Sequence, residues 1–495
     1  MRRLRYALLG IALAGAAAAL AFTFAPDSRG GSPHAASRRV DGTWPAVADV
    51  LSTHCVSCHT NGGIAPFSLT SAASAKLYAR DIVRMTQAHL MPPWPPGTDS
   101  PQYLGESRRV LTSDEMATLT AWVHDGTPAP AGAQVPEPSN AGDAAPGRAV
   151  TLAPAASYTP HITSGATDDY HCFLIDPKLT QDEFITSAKV QPGDPGIVHH
   201  VILFEARGQQ ADAARQRNAA SGGRGWSCFG DPGIGEDRSS GAFDRLGAPP
   251  WLAAWAPGAG TTDMPPGTGV PLHAGSLIVM QVHYNLLHGT RPDRSSVVLH
   301  LVPASGARLI PLETTLVAAP VELPCPSGAK GSRCSRATAL ADEERKYGYA
   351  AAQIPLGLLF LCGKTLADYP QHPRSVTHLT TSCARPVTRP IRIYGVGGHM
   401  HLRGLDIRVT LDPGTAHERL LLHIPHWDFH WQGGYYFTQP VDAGPGDTLG
   451  VSCTFDNSAA NQPVVNRKTI APRYVLWGEG TTDEMCLAIL QVANR

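Results

Sequence analysis

The sequence predicts a multidomain protein with a small all-α domain first and a larger all-β region after it. Apolar residues recur at helical spacing between Trp44 and Gly126, whereas the remainder contains short β-type runs separated by turn residues. The chain has 43 prolines and 49 glycines, which interrupt regular structure and join short strands. Its 495 residues suffice for about three domains of roughly 150 residues each.

The first 25 residues have the pattern of an export segment. A basic start, Met-Arg-Arg-Leu-Arg, precedes an apolar stretch from Tyr6 to about Ala25. A stretch of about 20 residues can also span a bilayer, so residues 1–25 are either a signal peptide or an uncleaved membrane anchor. In both cases we expect the body of the protein in the periplasm or secreted, where thiols oxidise.

The net charge of the chain indicates whether a nucleic-acid partner is to be expected. The formal net charge is only −1, which gives no electrostatic reason to expect nucleic acid. We therefore predict no nucleic-acid partner. Membrane contact is expected only through an uncleaved N-terminal anchor.

Residues 44–130 form the predicted helical unit. An apolar run leads into Cys55, and residues 72–90 carry apolar side chains at helical spacing. A third helix begins at Thr112, where a glutamate three residues later completes a capping box, and it ends at Gly126. The unit has the size of a small haem domain.

The rest of the chain is predicted to be β. Residues 131–157 are rich in Pro and Ala, have no periodic pattern and are interpreted as a linker. Eight β-type runs follow: Ile197–Phe204, Ser276–Tyr284, Ser296–Val302, Ile391–Tyr394, Leu405–Leu411, Leu420–Ile424, Thr448–Phe455 and Met485–Val492. This spacing favours β-sandwiches, and about 340 residues is long for one. We therefore expect two, with the polar stretch from Cys325 to Lys346 near or just after their junction.

Cys55-Val-Ser-Cys58-His59 is a haem-attachment sequence. The two thiols add to the haem vinyl groups and the adjoining histidine ligates the iron, which requires one helical turn. The alternative, a Cys-x-x-Cys disulfide or half of a zinc site, fits the export segment and the helical context less well. Residues 44–130 resemble a class I c-type cytochrome, and this resemblance implies one covalent haem c.

The sixth haem ligand is predicted to be Met91. It stands in Met-Pro-Pro-Trp, where the prolines end the preceding helix and let the chain cross the open haem face. The alternatives are His89, Met85 or no protein ligand. A thioether opposite histidine raises the reduction potential and suits electron transfer.

His399 and His401 are spaced so that one metal could contact both. Residues i and i+2 of a strand face the same way, and Met400 then points away. Two such histidines are also common at ordinary surface or core positions. Met485 would complete a His-His-Met set if the fold brings it close, and that set favours copper over zinc or iron.

His199 and His200 are a second candidate pair. Neighbours on a regular strand face opposite ways, so a shared metal requires a twist or a bulge. With His283 the pair could form an all-nitrogen site for a second copper.

Several segments together resemble the copper type II ascorbate-dependent monooxygenases, the family of peptidylglycine alpha-hydroxylating monooxygenase and dopamine beta-monooxygenase. Six segments stand in the order and approximate spacing that the family shows. They are Val198-His-His-Val-Ile-Leu-Phe204, Trp251-Leu-Ala-Ala-Trp-Ala-Pro257, Met264-Pro-Pro-Gly-Thr-Gly-Val270, Gln281-Val-His-Tyr284, His399-Met-His-Leu402 and Thr482-Asp-Glu-Met-Cys486. The resemblance covers about residues 158–495. It implies two linked jelly-roll sandwiches, which we place at 158–305 and 306–495.

The resemblance also implies roles for the ligands. His199, His200 and His283 would hold an electron-transfer copper. His399, His401 and Met485 would hold the copper that reacts with O2, and these three are the candidate catalytic residues. Hydroxylating a C–H bond with O2 needs two electrons, which two one-electron coppers supply. Ascorbate is the family reductant; the fused haem, another external reductant or a redox partner protein are alternative sources here.

The cysteines outside the haem box are expected to form disulfides. The chain has ten, of which the haem box uses two, leaving an even eight. By resemblance Cys172 pairs with Cys228 and Cys453 with Cys486. Proximity in sequence suggests Cys325 with Cys334 and Cys362 with Cys383.

Two departures limit what the resemblance implies about the substrate. Gly397 and Ile489 stand where the peptidylglycine enzymes place an arginine and a tyrosine that anchor a peptide carboxylate. We therefore predict an exported monooxygenase that hydroxylates a C–H bond of a small organic molecule, without naming that molecule. The alternative is a non-enzymatic electron-transfer or copper-holding protein; a zinc hydrolase would leave Met485 unused.

Overall fold

The computed structural model describes residues 41–61, 65–137, 145–161, 167–235, 251–256, 260–287, 289–369, 373, 375–465 and 467–495. The predicted export segment lies outside these residues, as do Pro257 and residues 138–144 of the predicted linker. No helix within the described ranges is long and apolar enough to cross a membrane.

The N-terminal unit is helical, as predicted. Its helices are α1 (Trp44–His54), α2 (Ala72–Leu77), α3 (Ala79–Gln87) and α4 (Ser113–His124), with a 3-10 turn at Glu106–Arg108. The single helix expected over residues 72–90 is interrupted at Tyr78, which leaves helical geometry and stacks its ring on Phe67. The capping box at Thr112 is confirmed, because its hydroxyl accepts the N–H of Glu115.

The first β domain consists of two sheets packed face to face. Its strands are β1 (Arg148–Leu152), β2 (Asp168–Ile175), β3 (Glu183–Gln191), β4 (Val198–Ala206), β5 (Trp226–Ser227), β6 (Trp251–Trp255), β7 (Thr262–Asp263), β8 (Thr268–Leu272), β9 (Leu277–Asn285), β10 (Ser296–Pro303) and β11 (Ile310–Pro311). One sheet has the order β1-β10-β3-β8-β11 with β7 beside β3, and the other β5-β2-β9-β4-β6. Apolar residues of both sheets share one core. Helix α5 (Gln209–Ala220) packs on the outer face of the second sheet.

The second β domain repeats this arrangement. Its strands are β12 (Glu313–Ala318), β13 (Glu322–Leu323), β14 (Leu379–Pro386), β15 (Ile391–His399), β16 (Gly404–Leu411), β17 (Arg419–Ile424), β18 (Gly434–Ala443), β19 (Thr448–Phe455), β20 (Val464–Val465), β21 (Lys468–Thr469), β22 (Val475–Leu476) and β23 (Leu487–Asn494). The main sheets have the orders β12-β23-β15-β18 and β14-β19-β16-β17, with short pairs β13-β22 and β20-β21. Between β13 and β14 the chain forms helices α6 (Arg336–Tyr347) and α7 (Tyr349–Leu361) and 3-10 turns at Ser332–Cys334 and Leu366–Asp368, with a further turn at Ala459–Asn461.

The predicted β region is confirmed, and all eight predicted runs occur as strands. The largest difference is β15, which continues to His399 because Gly395, Gly397 and Gly398 carry no side chain that alternation could detect. The polar stretch from Cys325 to Lys346 contains most of α6. The jelly-roll connection of the two sandwiches stays a prediction.

Two short strands differ from the expected boundaries. β1 lies inside the predicted linker, where it pairs with β10 as an edge strand whose exposed side chains give no apolar pattern. β11 lies beyond residue 305 but still pairs with β8 of the first domain. A two-residue Ile-Pro strand is too short to show any periodicity.

Residues 94–104 form a strap that ties the helical unit to the second β domain. The N–H of Gly97 donates to the carbonyl of His423 (2.8 Å), and the N–H of Leu104 donates to that of Tyr436 (2.7 Å). The strap therefore bonds to β17 and β18, the edge strands of the two sheets, and covers otherwise unpaired backbone groups.

Aromatic packing reinforces the strap. Tyr103 is 3% exposed, donates its hydroxyl to the carbonyl of Leu421 (2.6 Å) and packs on Phe437. The ring of Trp94 meets Tyr435 edge-on, with 5.4 Å between ring centroids. Tyr103 belongs to the core of the second β domain. The helical unit is thus held by buried contacts and not by a linker alone.

We expect Tyr103→Ala to lower the free energy of unfolding by about 3–5 kcal/mol, because a buried ring and its hydrogen bond are lost. Leu104→Ala is the matched control, since this neighbouring side chain is 43% exposed and should cost under about 1 kcal/mol. Urea denaturation measures both. Equal losses in the two variants would contradict a strap anchored through Tyr103.

Candidate metal centres

A bulge in β4 turns two adjacent histidines toward one side. The β4–β9 register shifts between Val198 and His200, so that His200 lies opposite His283 while His199 is the extra residue. An extra residue cancels the alternation that would send neighbouring side chains to opposite faces. The bulge that a shared metal site requires is therefore present.

The ring nitrogens of these histidines converge. The Nδ1 atom of His283 is 3.3 Å from Nδ1 of His199 and 3.2 Å from Nδ1 of His200. One ligand atom from each of the three lies within 4.8 Å of the others. Nε2 of His283 donates to Asp168 Oδ1 (2.8 Å), which leaves Nδ1 with its lone pair. Three imidazole lone pairs can therefore meet at one point.

Burial keeps the imidazoles of His199 and His200 neutral. It lowers the pKa of His199 and of His200 well below the ordinary value, and the neighbouring His283 lowers both further. The buried Nε2 of His199 has no hydrogen-bond partner in the described part of the chain. Neutral nitrogen donors with free lone pairs suit copper.

A second cluster lies where β15 ends. His399 is the last residue of β15, so His401 lies beyond the strand and the predicted strand alternation does not apply to this pair. The two ring centroids are nevertheless 5.1 Å apart. Burial lowers the pKa of His399 to about 4 and that of His401 to about 3, so both are neutral near pH 7. Nδ1 of His399 donates to Gln432 Oε1 (2.6 Å), which directs its Nε2 lone pair elsewhere. Met400, predicted to point away from the metal, is fully buried in the domain core.

Met485 reaches this cluster through the chain segment before β23. The N–H of His401 donates to Glu484 Oε2 (2.9 Å), and its Nδ1 donates to the carbonyl of Asp483 (3.3 Å). The next residue, Met485, is 5% exposed and lines the same cavity as His399. Met485 thus follows a residue bonded to His401 and shares a cavity wall with His399, and its place in the ligand set stays a prediction.

The segment carrying Met485 is fixed on several sides. The N–H of Arg403 donates to Glu484, and its fully buried guanidinium donates to the carbonyl of Thr482 (2.7 Å). Burial raises the pKa of Glu484 to about 7. The disulfide between Cys453 and Cys486 holds the residue after the methionine.

The two clusters are joined by a buried bridge across the domain interface. Thr481 of the second domain donates its hydroxyl and its N–H to Asp168, the carboxylate that holds His283. Burial raises the pKa of Asp168, but hydrogen bonds from His283 and Thr481 outweigh it, so the carboxyl stays ionised. Tyr170 stacks on His283 (4.1 Å) and donates to the carbonyl of Glu479 (2.7 Å).

The clusters lie close together. The ring centroids of His200 and His399 are 6.4 Å apart. Phe429 stacks on His199 at 4.3 Å and lies 5.8 Å from His401. The two histidine clusters are therefore adjacent.

The haem-box residues lie directly after α1. Cys55 follows its last residue, Cys58 and His59 continue the turn, and neither thiol is in a disulfide. Nδ1 of His59 donates to the carbonyl of Phe67 (3.1 Å), and burial lowers the pKa of His59. Two unpaired thiols beside a neutral imidazole suit covalent haem. Met91 follows α3, and its assignment as sixth ligand stays a prediction.

The remaining eight cysteines form the four predicted disulfides: Cys172–Cys228, Cys325–Cys334, Cys362–Cys383 and Cys453–Cys486. Such bridges are typical of extracellular or secreted proteins.

Several residues that support the ligands were not predicted. Asp168 and Thr481 are 313 positions apart, so no local pattern marks their contact. Gln432 and Phe429 likewise contact histidines that are distant in sequence, His399 and His199. Arg403 lies two residues after His401, inside a segment that already carries a ligand, and its charge on an otherwise buried segment was a usable signal.

The group of three histidines could hold a metal ion, and a pair of buried histidines lies beside it. Residues 159–291 match the N-terminal domain of the copper type II ascorbate-dependent monooxygenases, and residues 358–492 match their C-terminal domain. Together these matches cover more than half of the chain. The chain belongs to this family and is a copper-dependent monooxygenase, an oxidoreductase that acts on paired donors with oxygen incorporation.

Solved structures add only distant similarity. The chain is 10% identical to the major capsid protein P2 of bacteriophage PM2 over 70% of this chain and 97% of that one, with a TM-score of 0.24. A peptide-N(4)-(N-acetyl-β-D-glucosaminyl) asparagine amidase is 8% identical over 70% and 100%, with a TM-score of 0.23. These scores are too low to support any conclusion. No curated protein matches the chain.

We expect Asp168→Asn to weaken copper binding at the His199 cluster by about 10- to 100-fold, because the carboxylate orients His283. A competition titration with a Cu(I) chelator measures the affinity. Asp176→Asn, at an exposed residue directly after the same strand, is the control and should leave it unchanged. Unaltered binding in Asp168→Asn would show that the cluster does not depend on this carboxylate.

Proposed function

We propose that this enzyme hydroxylates a C–H bond of a small organic substrate with O2, using copper at both histidine clusters. The proposed ligands are His199, His200 and His283 at one site and His399, His401 and Met485 at the other. The observation that supports the proposal is that Met485 and His399 line one cavity, with His401 next to His399 and the cluster of three histidines beside them.

The protein's own residues supply the conditions for this chemistry. Copper, when bound, supplies one-electron redox steps at both sites and reactivity toward O2 at the site with the weak thioether ligand. Burial keeps the imidazoles of His199, His200, His399 and His401 unprotonated and available as ligands. The family match favours this enzyme over a protein that only carries copper or electrons.

The substrate is proposed to bind between the two β domains. His200, His399 and Met485 line one cavity there. A carbon held in that cavity lies beside both clusters, and the surrounding protein limits access of bulk water. Met485, His399 and His401 are therefore the proposed catalytic residues.

We propose that residues 44–130 are a cytochrome c-like domain with covalent haem held by Cys55, Cys58 and His59, and with Met91 as sixth ligand. Haem, when bound, supplies a one-electron carrier covalently joined to the copper domains. Free thiols beside His59 and the strap support this proposal. Ascorbate, named with the family, another reductant or a redox partner protein would supply the electrons from outside.

We propose that the protein is exported from the cytoplasm. The four disulfides support a periplasmic or secreted location. Residues 1–25 are proposed to act as signal peptide or membrane anchor.

Met485→Leu should abolish incorporation of ¹⁸O from ¹⁸O2 into product, because leucine keeps the volume but removes the thioether. Mass spectrometry of product and metal analysis of the variant are the measurements. Copper at the His199 cluster and haem content should remain.

Met400→Leu is the matched control, since this methionine lies between the two histidines in sequence but is buried in the core. It should keep ¹⁸O incorporation. Full activity in Met485→Leu would exclude the proposed ligand, and copper binding without oxygen uptake over a broad substrate panel would favour a carrier protein.

If the haem supplies electrons to the copper sites, copper-loaded and copper-free protein should differ in the rate at which reduced haem is oxidised. The absorbance of pre-reduced haem should decay faster on addition of O2 when copper is bound. Equal decay rates in the two forms would show that the haem does not feed the copper sites.

A further inference from the structure

Phe429 contacts a histidine of each cluster. It lies in the loop between β17 and β18, residues 425–433. Its ring stacks on His199, with 4.3 Å between ring centroids and 16° between ring planes. The same ring meets His401 edge-on, at 5.8 Å between centroids. An apolar ring therefore covers one face of a proposed ligand of the first site and borders a proposed ligand of the second.

Hydrogen bonds on both sides of Phe429 hold the loop against the second cluster. Before it, the indole N–H of Trp427 donates to the carbonyl of His401 (3.1 Å). After it, the side chain of Gln432 donates to the carbonyl of Phe429 (2.8 Å) and accepts from His399. Phe429 and Gln432 are both buried. The ring is therefore placed by bonds to the histidines at the end of β15 and beyond it.

The imidazole that Phe429 covers differs from its neighbour in the same cluster. Nε2 of His283 donates to Asp168, which makes that ring a stronger electron donor toward a metal. His199 directs Nδ1 toward the cluster, so a neutral ring carries its proton on Nε2. That atom is buried, and within the ranges that the structure describes no acceptor meets it. His199 is therefore the weaker donor of the two.

An apolar cover and a weak donor shift the reduction potential of copper in the same direction. Cu(II) has the higher charge, so it loses more solvation free energy than Cu(I) when water is excluded. A ligand nitrogen that donates less electron density also stabilises Cu(II) less. Both effects favour the reduced ion and raise the reduction potential.

Resting on the proposed function, we infer that Phe429 is a positioning residue that raises the reduction potential of copper held by the His199 cluster. It acts through His199, because its ring stacks on that imidazole and keeps water from it. A higher potential makes the uptake of an electron from a reductant more favourable. The loop that orders the second cluster thereby also tunes the first.

Truncation of Phe429 tests the inference, with truncation of Phe437 as the matched control. Both phenylalanines are buried in the second β domain, where Phe429 is 5% and Phe437 3% exposed, but Phe437 packs on Tyr103. Each is replaced by alanine and, in a milder form, by leucine, in the full-length protein. Leucine keeps most of the apolar volume, so at least one variant of each residue should fold.

The measured copper signal must come from one site. All variants and their reference protein therefore also carry His399→Ala and Met485→Leu. These changes remove two proposed ligands of the other site and leave His401 beside Phe429. A redox titration followed by Cu(II) electron paramagnetic resonance then measures the reduction potential at the His199 cluster, and this measurement needs no turnover.

We expect Phe429→Ala to lower the reduction potential by at least about 59 mV, which is a tenfold change in the ratio of Cu(II) to Cu(I). Phe429→Leu should lower it by less, because it removes less of the apolar cover. Both Phe437 variants should leave the potential unchanged, although they lose stability in urea as the Phe429 variants do.

An unchanged potential in both Phe429 variants would overturn the inference. An equal fall in the matched Phe437 variants would do the same, since the effect would then be a general loss of packing. Wild-type protein that binds no copper at the His199 cluster would disprove both this inference and the proposed function. A fall in potential confined to the Phe429 variants, without ¹⁸O incorporation by the wild-type protein, would disprove the oxygenation alone.

Discussion

The buried carboxylate of Asp168 is the contact on which the arrangement of both clusters depends. It is fully enclosed and stays ionised only because donors from both β domains surround it. His283 donates from the first domain and Thr481 from the second. A shift of one domain against the other would leave a buried charge short of partners, which is costly. The carboxylate therefore couples the orientation of His283 to the seating of the segment that carries Met485.

That segment illustrates how buried charge can specify geometry. Arg473 forms an ion pair with Asp483, and Arg403 donates to Glu484 beside the methionine. Burying such groups contributes little net stability, because their desolvation offsets the attraction. Any displacement of this segment, however, would leave one of these buried charges unpaired. The network consequently holds Met485 in one place, which a hydrophobic contact of the same area would not do.

The sequence predicted features whose causes are local, and it missed those whose causes are distant. A capping box at Thr112 and the alternation along Thr448–Phe455 depend on nearby residues, and both were found. A twist or a bulge at His199 was expected only if the histidines share a metal, and a bulge is present. Helix α7 was missed, and the apolar run Ile391–Tyr394 stopped short of His399 although the histidine spacing was interpreted as that of a strand. Uniformly apolar residues in the helix and glycines in the strand show no period.

The strap gives the helical unit a fixed relation to the cavity. Trp94 packs on Tyr435, and Tyr435 itself lines the cavity, so the two regions share a wall. Met91 precedes Trp94 by three residues, which limits the Cα separation to roughly 10 Å even in an extended chain. A haem bound by the helical unit through Met91 would be restricted to the neighbourhood of the Met485 domain.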